Sequence, residues 1–312
     1  MNSEWTSAFF ACSKVLMRYG WFVAPYITGG EFERLKATCD RLERIEPSDA
    51  AALADAELAI FRVLSDAAYH PNNRAKYVRH ALRLAHVREY SHLYEGAIFA
   101  YYKRDYAGSV LLLLVALEGI LLALSGWQLG EPNRPGHNRL IAMVRGPVGD
   151  PAVLTTMGQA RAMYANVFAD FLEKWLYTHT NDADFGMSVL NRHYVMHGFE
   201  PGNFYRPQDV HRMILAFDVL IDWQSHVQDN HGSIFVEDDD PMVSNRMDYY
   251  YALSQGDQTL KQMWRTERSF LRDHVRYVAP IEEHDYEKSL IQTLLESIAL
   301  AQRLEKLRTP LG

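Results

Sequence analysis

The stretch SVLLLLVALEGILLALSGW, residues 109–127, is the most apolar run of the chain. A membrane-spanning helix needs about 20 predominantly apolar residues and rarely carries a charge at its centre. This run is shorter and has Glu118 in its middle. We therefore interpret it as a helix buried in the core of a folded protein, and we expect no membrane partner.

Helical patterns continue on both sides of this run. Between residues 73 and 105, apolar and aromatic residues recur every three or four positions, and Ser48 with Asp49 forms a cap signal before an earlier helix. Asp150, which a proline follows, starts a later helix that runs to about Tyr177. The chain on either side of the apolar run is therefore predicted to be helical.

Residues 208–228 are amphipathic, and helical patterns near residues 257–277 and 285–307 close the chain. The apolar side of 208–228 consists of Val210, Ile214, Phe217, Leu220 and Ile221. The sequence contains no strand pattern, no hairpin dipeptide and no fixed repeat. These patterns predict an all-α protein with helical-bundle packing.

Composition and charge limit the function classes. The chain has 312 residues, 48% of them hydrophobic, and a net charge of −7. This net charge does not suggest a protein that coats nucleic acid non-specifically or one that binds an anionic membrane. It does not exclude a local basic site. The only cysteines, Cys12 and Cys39, lack metal-ligand or disulfide spacing, and the N-terminus has no basic signal segment. We expect a cytoplasmic protein in a reducing compartment.

The stretch LNRHYVMHGFEPGNFYRP, residues 190–207, carries an arginine and a histidine in R-x4-H spacing, Arg192 and His197. Five residues turn an ideal helix by about 500°, so the two side chains diverge by about 140°. A long arginine can still swing toward the histidine where a helix ends. Gly198 is a stop signal, which places His197 in a last turn where the helix dipole favours its protonated form.

Two other interpretations of this stretch stay open. One is a capped helix end with a cation-rich last turn. The other is a metal site on His193 and His197, although no acidic residue at helical spacing supplies a third ligand. We expect no metal and no cofactor, and the sequence has no Gly-rich phosphate loop. The remaining histidines considered are interpreted as surface or satisfied polar residues: His70, His80, His86, His92 and His137.

The string NRHYVMHG and its flanking helices resemble the HEPN domain family, whose signature is R-x4-H. Upstream, residues 94–127 are similar to the first two helices of that bundle, including an acid–glycine pair, Glu118–Gly119. Residues 208–228 fit its closing helix, and the acidic stretch VEDDDP at 236–241 marks a boundary. We therefore expect an N-terminal helical region (1–88), a HEPN-like four-helix bundle (89–230) and a C-terminal helical region (231–312).

The resemblance implies a metal-independent endoribonuclease with Arg192 and His197 as catalytic residues. It also implies a homodimer in which the two motifs meet. RNA cleavage by the 2′-hydroxyl needs a base, an acid for the leaving 5′-oxygen, and cations for the phosphorane. Histidine exchanges protons near neutral pH, and arginine binds phosphate oxygens in pairs. Two motifs across a two-fold axis supply both proton-transfer groups, which is a physical reason to expect the dimer.

Three further residues are expected to support the site. A carboxylate in an apolar helix costs several kcal/mol unless it is paired, so we expect Glu118 to bind Arg192 or another basic residue. Asn191 and His193 either donate to phosphate or cap local backbone.

The predicted function is therefore cleavage of an RNA substrate. A toxin or defence role, with an antitoxin or regulatory partner, follows what the family tends to do. The alternatives are a module that binds RNA or nucleotides without cutting and a dimerisation scaffold. The acidic net charge counts against the nuclease interpretation, because RNA-binding proteins usually carry a basic face.

Overall fold

The computed structural model describes residues 3–24, 26–46, 49–146, 156–178, 190–197, 206–228 and 240–255. The regular elements in these ranges are helices, which confirms the all-α prediction. They are α1 (Ser3–Met17), α2 (Gly29–Leu42), α3 (Ala50–Tyr69), α4 (Pro71–Ala81), α5 (Ser91–Tyr102), α6 (Tyr106–Leu124), α7 (His137–Arg145), α8 (Thr156–Phe171), α9 (Arg192–His197), α10 (Pro207–Gln228) and α11 (Pro241–Gln255). A π-helical turn, Leu172–Leu176, continues α8.

Short polar side chains set the starts of several helices. Asp49 lies at the start of α3, where its Oδ1 accepts a hydrogen bond from the Ala52 N–H at 3.0 Å, as the cap signal predicts. Asp105 does the same for α6 by accepting from the Gly108 N–H at 3.1 Å. Each bond satisfies a backbone donor that the first helical turn leaves without a partner.

The helical pattern between residues 73 and 105 forms two helices rather than one. α4 ends at Ala81 and α5 begins at Ser91. The two helices pack against different neighbours, α4 chiefly against α11 and α5 chiefly against α6. The chain must turn between these neighbours, and a periodic pattern alone does not reveal that turn.

α10 lies inside the bundle and is buried on every side. It packs against α3, α4, α6 and α8. The five apolar residues predicted to face the core are buried, which confirms that part of the prediction. The amphipathic interpretation is wrong for the opposite side, whose polar residues are buried as well: Asp209, His211, Arg212, Asp218, Asp222 and Gln224. The five ionisable groups among them find charged or hydroxyl partners inside the protein, so α10 needs no solvent-facing side.

α6 is a core helix with one solvent-facing stripe. It is the one helix, within the described ranges, that is long and apolar enough to span a membrane, and half of its apolar stretch is buried in the fold. Its neighbours α5 and α10 cover residues such as Leu113, Leu117 and Ile120. Leu111 and Val115 stay exposed, at 39% and 45%. The prediction of a buried helix is therefore confirmed for one side of α6.

One hydrophobic core extends from Phe9 to Leu253. It takes residues from all three regions that the sequence analysis distinguished. α11 lies in the predicted C-terminal helical region, although no individual helix was predicted at its residues, and it packs against α4 and α5. The predicted start at Asp150 and the two closing helices, 257–277 and 285–307, lie outside the described residues.

Candidate functional site

Residues from three parts of the chain surround a cavity of about 310 Å³. α6 contributes Glu118, α9 contributes Arg192, and the loop that leads into α7 contributes Arg134, with His137 as the first residue of α7. The remaining lining residues are Pro135, Gly136 and Leu140. The cavity thus joins two predicted site residues, Glu118 and Arg192, to two that the sequence analysis did not select.

Glu118 pairs with two arginines at once. Its Oε2 accepts a hydrogen bond from Arg192 Nε at 3.0 Å, and its Oε1 accepts one from Arg134 Nη2 at 2.5 Å. The Glu118 side chain is only 13% exposed, so these pairs offset the cost of a charge in an apolar helix. Both partners considered from the sequence, Arg192 and another basic residue, are therefore present.

The guanidinium of Arg192 is held along one edge. Among the described residues, its hydrogen bond to Glu118 uses Nε alone, which leaves both terminal amino groups for another acceptor. The Arg192 side chain is 18% exposed, against 51% for Arg134. An arginine held this way can direct two parallel donors at a phosphate or carboxylate group.

Asn191 fixes the start of α9. Its Oδ1 accepts a hydrogen bond from the His193 N–H at 2.9 Å, and its Nδ2 donates to the Thr178 carbonyl oxygen at 2.7 Å. Asn191 is 2% exposed, and Leu190 and Val195 anchor the same segment in the core at 1% and 4%. Of the two roles considered for Asn191, the structure shows the backbone cap.

His197 is the last residue of α9. Its side chain and Gly198 lie outside the described residues. The distance between the Arg192 and His197 side chains therefore stays a prediction. His193 lies at the site, since its ring is 6.4 Å from the His137 ring in an edge-to-face arrangement.

His137 is partly exposed and packs in the site, a position that its interpretation as a surface or satisfied polar residue did not anticipate. Its ring stacks on Tyr177 with centroids 4.1 Å apart and planes 8° apart. Burial lowers the pKa of His137, and the positive charge of Arg192 lowers it further, while Glu118 opposes the change. The imidazole is therefore neutral at pH 7, in the form that accepts a proton.

The sequence offered only a weak signal for Arg134 and His137. Both belong to EPNRPGHNRL, a stretch rich in glycine and proline that precedes a helix. Such loops frequently carry functional residues, but this fact does not identify the loop's spatial neighbour. The loop meets α6 through the pair of Arg134 with Glu118, a tertiary contact that no spacing in the sequence reveals.

A second group of buried charges surrounds α10, and the sequence analysis missed it. Arg74 binds Asp218 through two parallel hydrogen bonds of 2.8 and 2.7 Å, with both side chains fully buried. Arg212 binds Asp209 at 2.9 Å and Glu57 at 2.6 Å. The charged groups of these pairs are buried and satisfy one another, so we assign them a structural role.

Within the described ranges, no three His, Cys, Asp or Glu side chains lie close enough together to hold a metal ion. Comparison with protein-family models, with curated proteins and with solved structures gave no match to this chain. The function is therefore inferred from the site itself and from the chemistry of its residues.

Proposed function

We propose that this protein is a metal-independent endoribonuclease that uses the cavity between α6, α7 and α9. The observation that carries the proposal is the Glu118–Arg192 contact at 3.0 Å. It fixes the arginine of the R-x4-H motif beside a second arginine, Arg134, and a neutral histidine, His137. Two guanidinium groups and one carboxylate leave a net positive site in an acidic protein, which suits one phosphodiester.

The proposed chemistry follows from these groups. The terminal nitrogens of Arg192 bind the non-bridging oxygens of the phosphate and stabilise the added charge of the phosphorane. A histidine base removes the proton of the 2′-hydroxyl, and a histidine acid protonates the leaving 5′-oxygen. His197 is one of these groups. The products are a 2′,3′-cyclic phosphate and a 5′-hydroxyl, and no metal-bound nucleophile is needed.

A homodimer is part of the proposal. Leu111 and Val115 expose apolar surface on α6, one to two turns before Glu118. An exposed apolar stripe next to a polar cavity is a common property of surfaces that bind another protein. A second copy that covers this stripe would bring the two R-x4-H motifs toward each other, as the HEPN resemblance implies.

Incubation of the purified protein with total RNA and excess chelator tests the activity. We expect cleavage to continue and to leave 2′,3′-cyclic phosphate ends. Arg192→Ala and His197→Ala should abolish cleavage while circular dichroism stays unchanged. Arg41→Ala and His92→Ala, which change exposed residues on α2 and α5, serve as matched controls. Cleavage that chelator abolishes and Mg²⁺ restores would refute the mechanism.

The second candidate is a module that binds RNA or nucleotides without cutting, because the terminal nitrogens of Arg192, held by Glu118 beside Arg134, suit phosphate binding whether or not a bond is cleaved. Its signature would be loss of RNA binding in Arg192→Ala with no cleavage by the unaltered protein. If neither variant changes cleavage or binding, the bundle acts as a dimerisation scaffold instead.

A further inference from the structure

His137 has the environment of a reactive group rather than that of a solvated surface residue. It lines the cavity with both arginines, and its ring is stacked on Tyr177. Among the described residues neither ring nitrogen of His137 makes a hydrogen bond. Stacking occupies a face of the imidazole and leaves its nitrogen edge for another partner. The ring orientation is thus set by packing, while the proton-accepting atoms stay available.

Rigid support of this kind is what a catalytic base needs. The neighbouring aromatic ring restricts rotation of the imidazole, so little orientation is lost when substrate binds. Arg192 lines the same cavity, so one site combines a phosphate-binding cation with a proton acceptor.

We propose that His137 is the general base of this site, and that each chain therefore carries both a base and the phosphate-binding arginines. This inference rests on the proposed ribonuclease function and deepens it. Its consequence is that the second motif of a dimer is not required for proton abstraction. Only the acid, His197, could still come from the other subunit.

A neutral ring nitrogen of His137 takes the proton of the 2′-hydroxyl as the 2′-oxygen forms a bond to phosphorus. The bond between phosphorus and the 5′-oxygen breaks, and the leaving oxygen takes a proton from protonated His197. The cyclic phosphate and the 5′-hydroxyl leave, and solvent returns the proton from His137 to the acid.

The charges around His137 set the pH at which it can act. Burial and Arg192 lower the pKa of His137, so the base stays neutral to a lower pH than an ordinary histidine does. The acidic limb of the rate profile should then lie below that of an ordinary histidine. The other titratable or charged groups that face it are Glu118, Arg134, Tyr177 and His193.

His137→Phe separates this role from a purely structural one, because it keeps an aromatic ring on Tyr177 and removes both nitrogens. We expect single-turnover cleavage to fall by about 10²-fold or more, and its acidic limb to disappear. Binding of an RNA oligonucleotide with a 2′-deoxy substitution at the cleaved position should be unchanged. His92→Phe is the matched control. His137→Gln provides a second test if the phenylalanine variant does not fold.

Wild-type cleavage rate and an unchanged acidic limb in His137→Phe would overturn the assignment of the base. The ribonuclease proposal would then still stand if His197→Ala were inactive in the same assay. Absence of cleavage by the unaltered protein would overturn both proposals. Equal loss of rate and of oligonucleotide binding in both His137 variants would show a structural role for His137.

Discussion

Glu118 and Gly119 are neighbours in α6 with two different tasks. Glu118 holds Arg134 and Arg192 on the cavity side of the helix. Gly119 allows the ring of Tyr90 to lie against the helix backbone, because a Cβ atom built on Gly119 would overlap that ring. The acid–glycine pair therefore combines a binding function with a packing function at adjacent positions.

Gly119→Ala should lower the free energy of unfolding. Alanine favours an α-helix over glycine by up to about 1 kcal/mol, but overpacking typically costs about 1–3 kcal/mol. The ring of Tyr90 cannot shorten to make room, so we expect a net loss of about 1 kcal/mol or more in urea denaturation. Gly30→Ala in α2 is the control, since an added Cβ there meets nothing within 4 Å and should not destabilise. Equal stability of both variants would show that Tyr90 moves aside.

Two kinds of signal in the sequence predicted residues of the candidate site. One is a motif whose residues lie close together in the chain, and the other is a charged residue that is costly to bury without a partner. R-x4-H spacing indicated Arg192, and the cost of a lone carboxylate in an apolar helix indicated that Glu118 needs a partner. Arg134 and His137 have neither property. Their contribution depends on how the loop before α7 folds against α6, which is a tertiary contact without a local pattern.

α10 shows the same limit for an entire element. Its apolar positions predicted a helix with one buried side, and those residues are buried. In the sequence, its polar residues look the same as those on a solvent-exposed side of a helix. Their partners, such as Arg74 and Glu57, lie on other helices far away in the sequence. The periodicity of the sequence predicts that this segment is a helix. Full burial of a helix that has both apolar and charged residues depends on ion pairs and hydrogen bonds that form only in the folded protein.

His211 in α10 should make the protein sensitive to mild acid. Burial lowers its pKa to about 3, and Arg74 and Arg212 contribute to the shift. The unfolded chain, with a histidine pKa near 6.5, then binds a proton that the folded protein does not. The folded pKa is the lower one, so the stability contributed by neutral His211 is complete above about pH 6.5 and decreases toward about pH 3.

Between pH 6.5 and pH 5 this group alone should reduce the free energy of unfolding by about 2 kcal/mol. Urea denaturation across that interval measures the loss. His211→Gln should flatten the dependence, while His92→Gln, which changes an exposed histidine, should not. An unchanged slope in His211→Gln would show that other groups cause the acid sensitivity.

The buried Arg74–Asp218 pair should behave as a single unit. Tyr26 and Tyr94 also donate to Asp218, at 2.7 and 3.1 Å, so removing the carboxylate removes the acceptor of four hydrogen bonds from three side chains. We expect Arg74→Met and Asp218→Leu each to cost about 3–5 kcal/mol, and the double variant to cost less than their sum. Urea denaturation of the four proteins gives the coupling energy.

The exposed pair Arg145–Asp170 provides the matched comparison. Its side chains are 38% and 35% exposed, and such pairs couple by about 0–1 kcal/mol. If the buried pair shows a coupling energy as small as that of the exposed pair, Arg74 and Asp218 contribute to stability independently of each other.

On the scale of the whole molecule, the surface combines an acidic average with local exceptions. The net charge is −7, yet the cavity at α9 contains two arginines around one carboxylate. The apolar residues Leu111 and Val115 are exposed on the helix that carries Glu118. A second copy at this surface should bury about 1,200 Å² or more if the dimer is stable.

Mixing of subunits tests how many chains build one site. An Arg192→Ala chain and a His197→Ala chain should each be inactive alone. If Arg192 of one chain acts with His197 of the other, each mixed dimer contains one intact site, and an equal mixture should regain about one quarter of the wild-type activity. Native mass spectrometry verifies that the subunits have exchanged.

Mixing Arg192→Ala with the double variant Arg192→Ala/His197→Ala is the control, because no combination of those chains restores an arginine. Exchange without recovery would place Arg192 and His197 of a working site in the same chain, and a fully active monomer would rule out the shared site altogether.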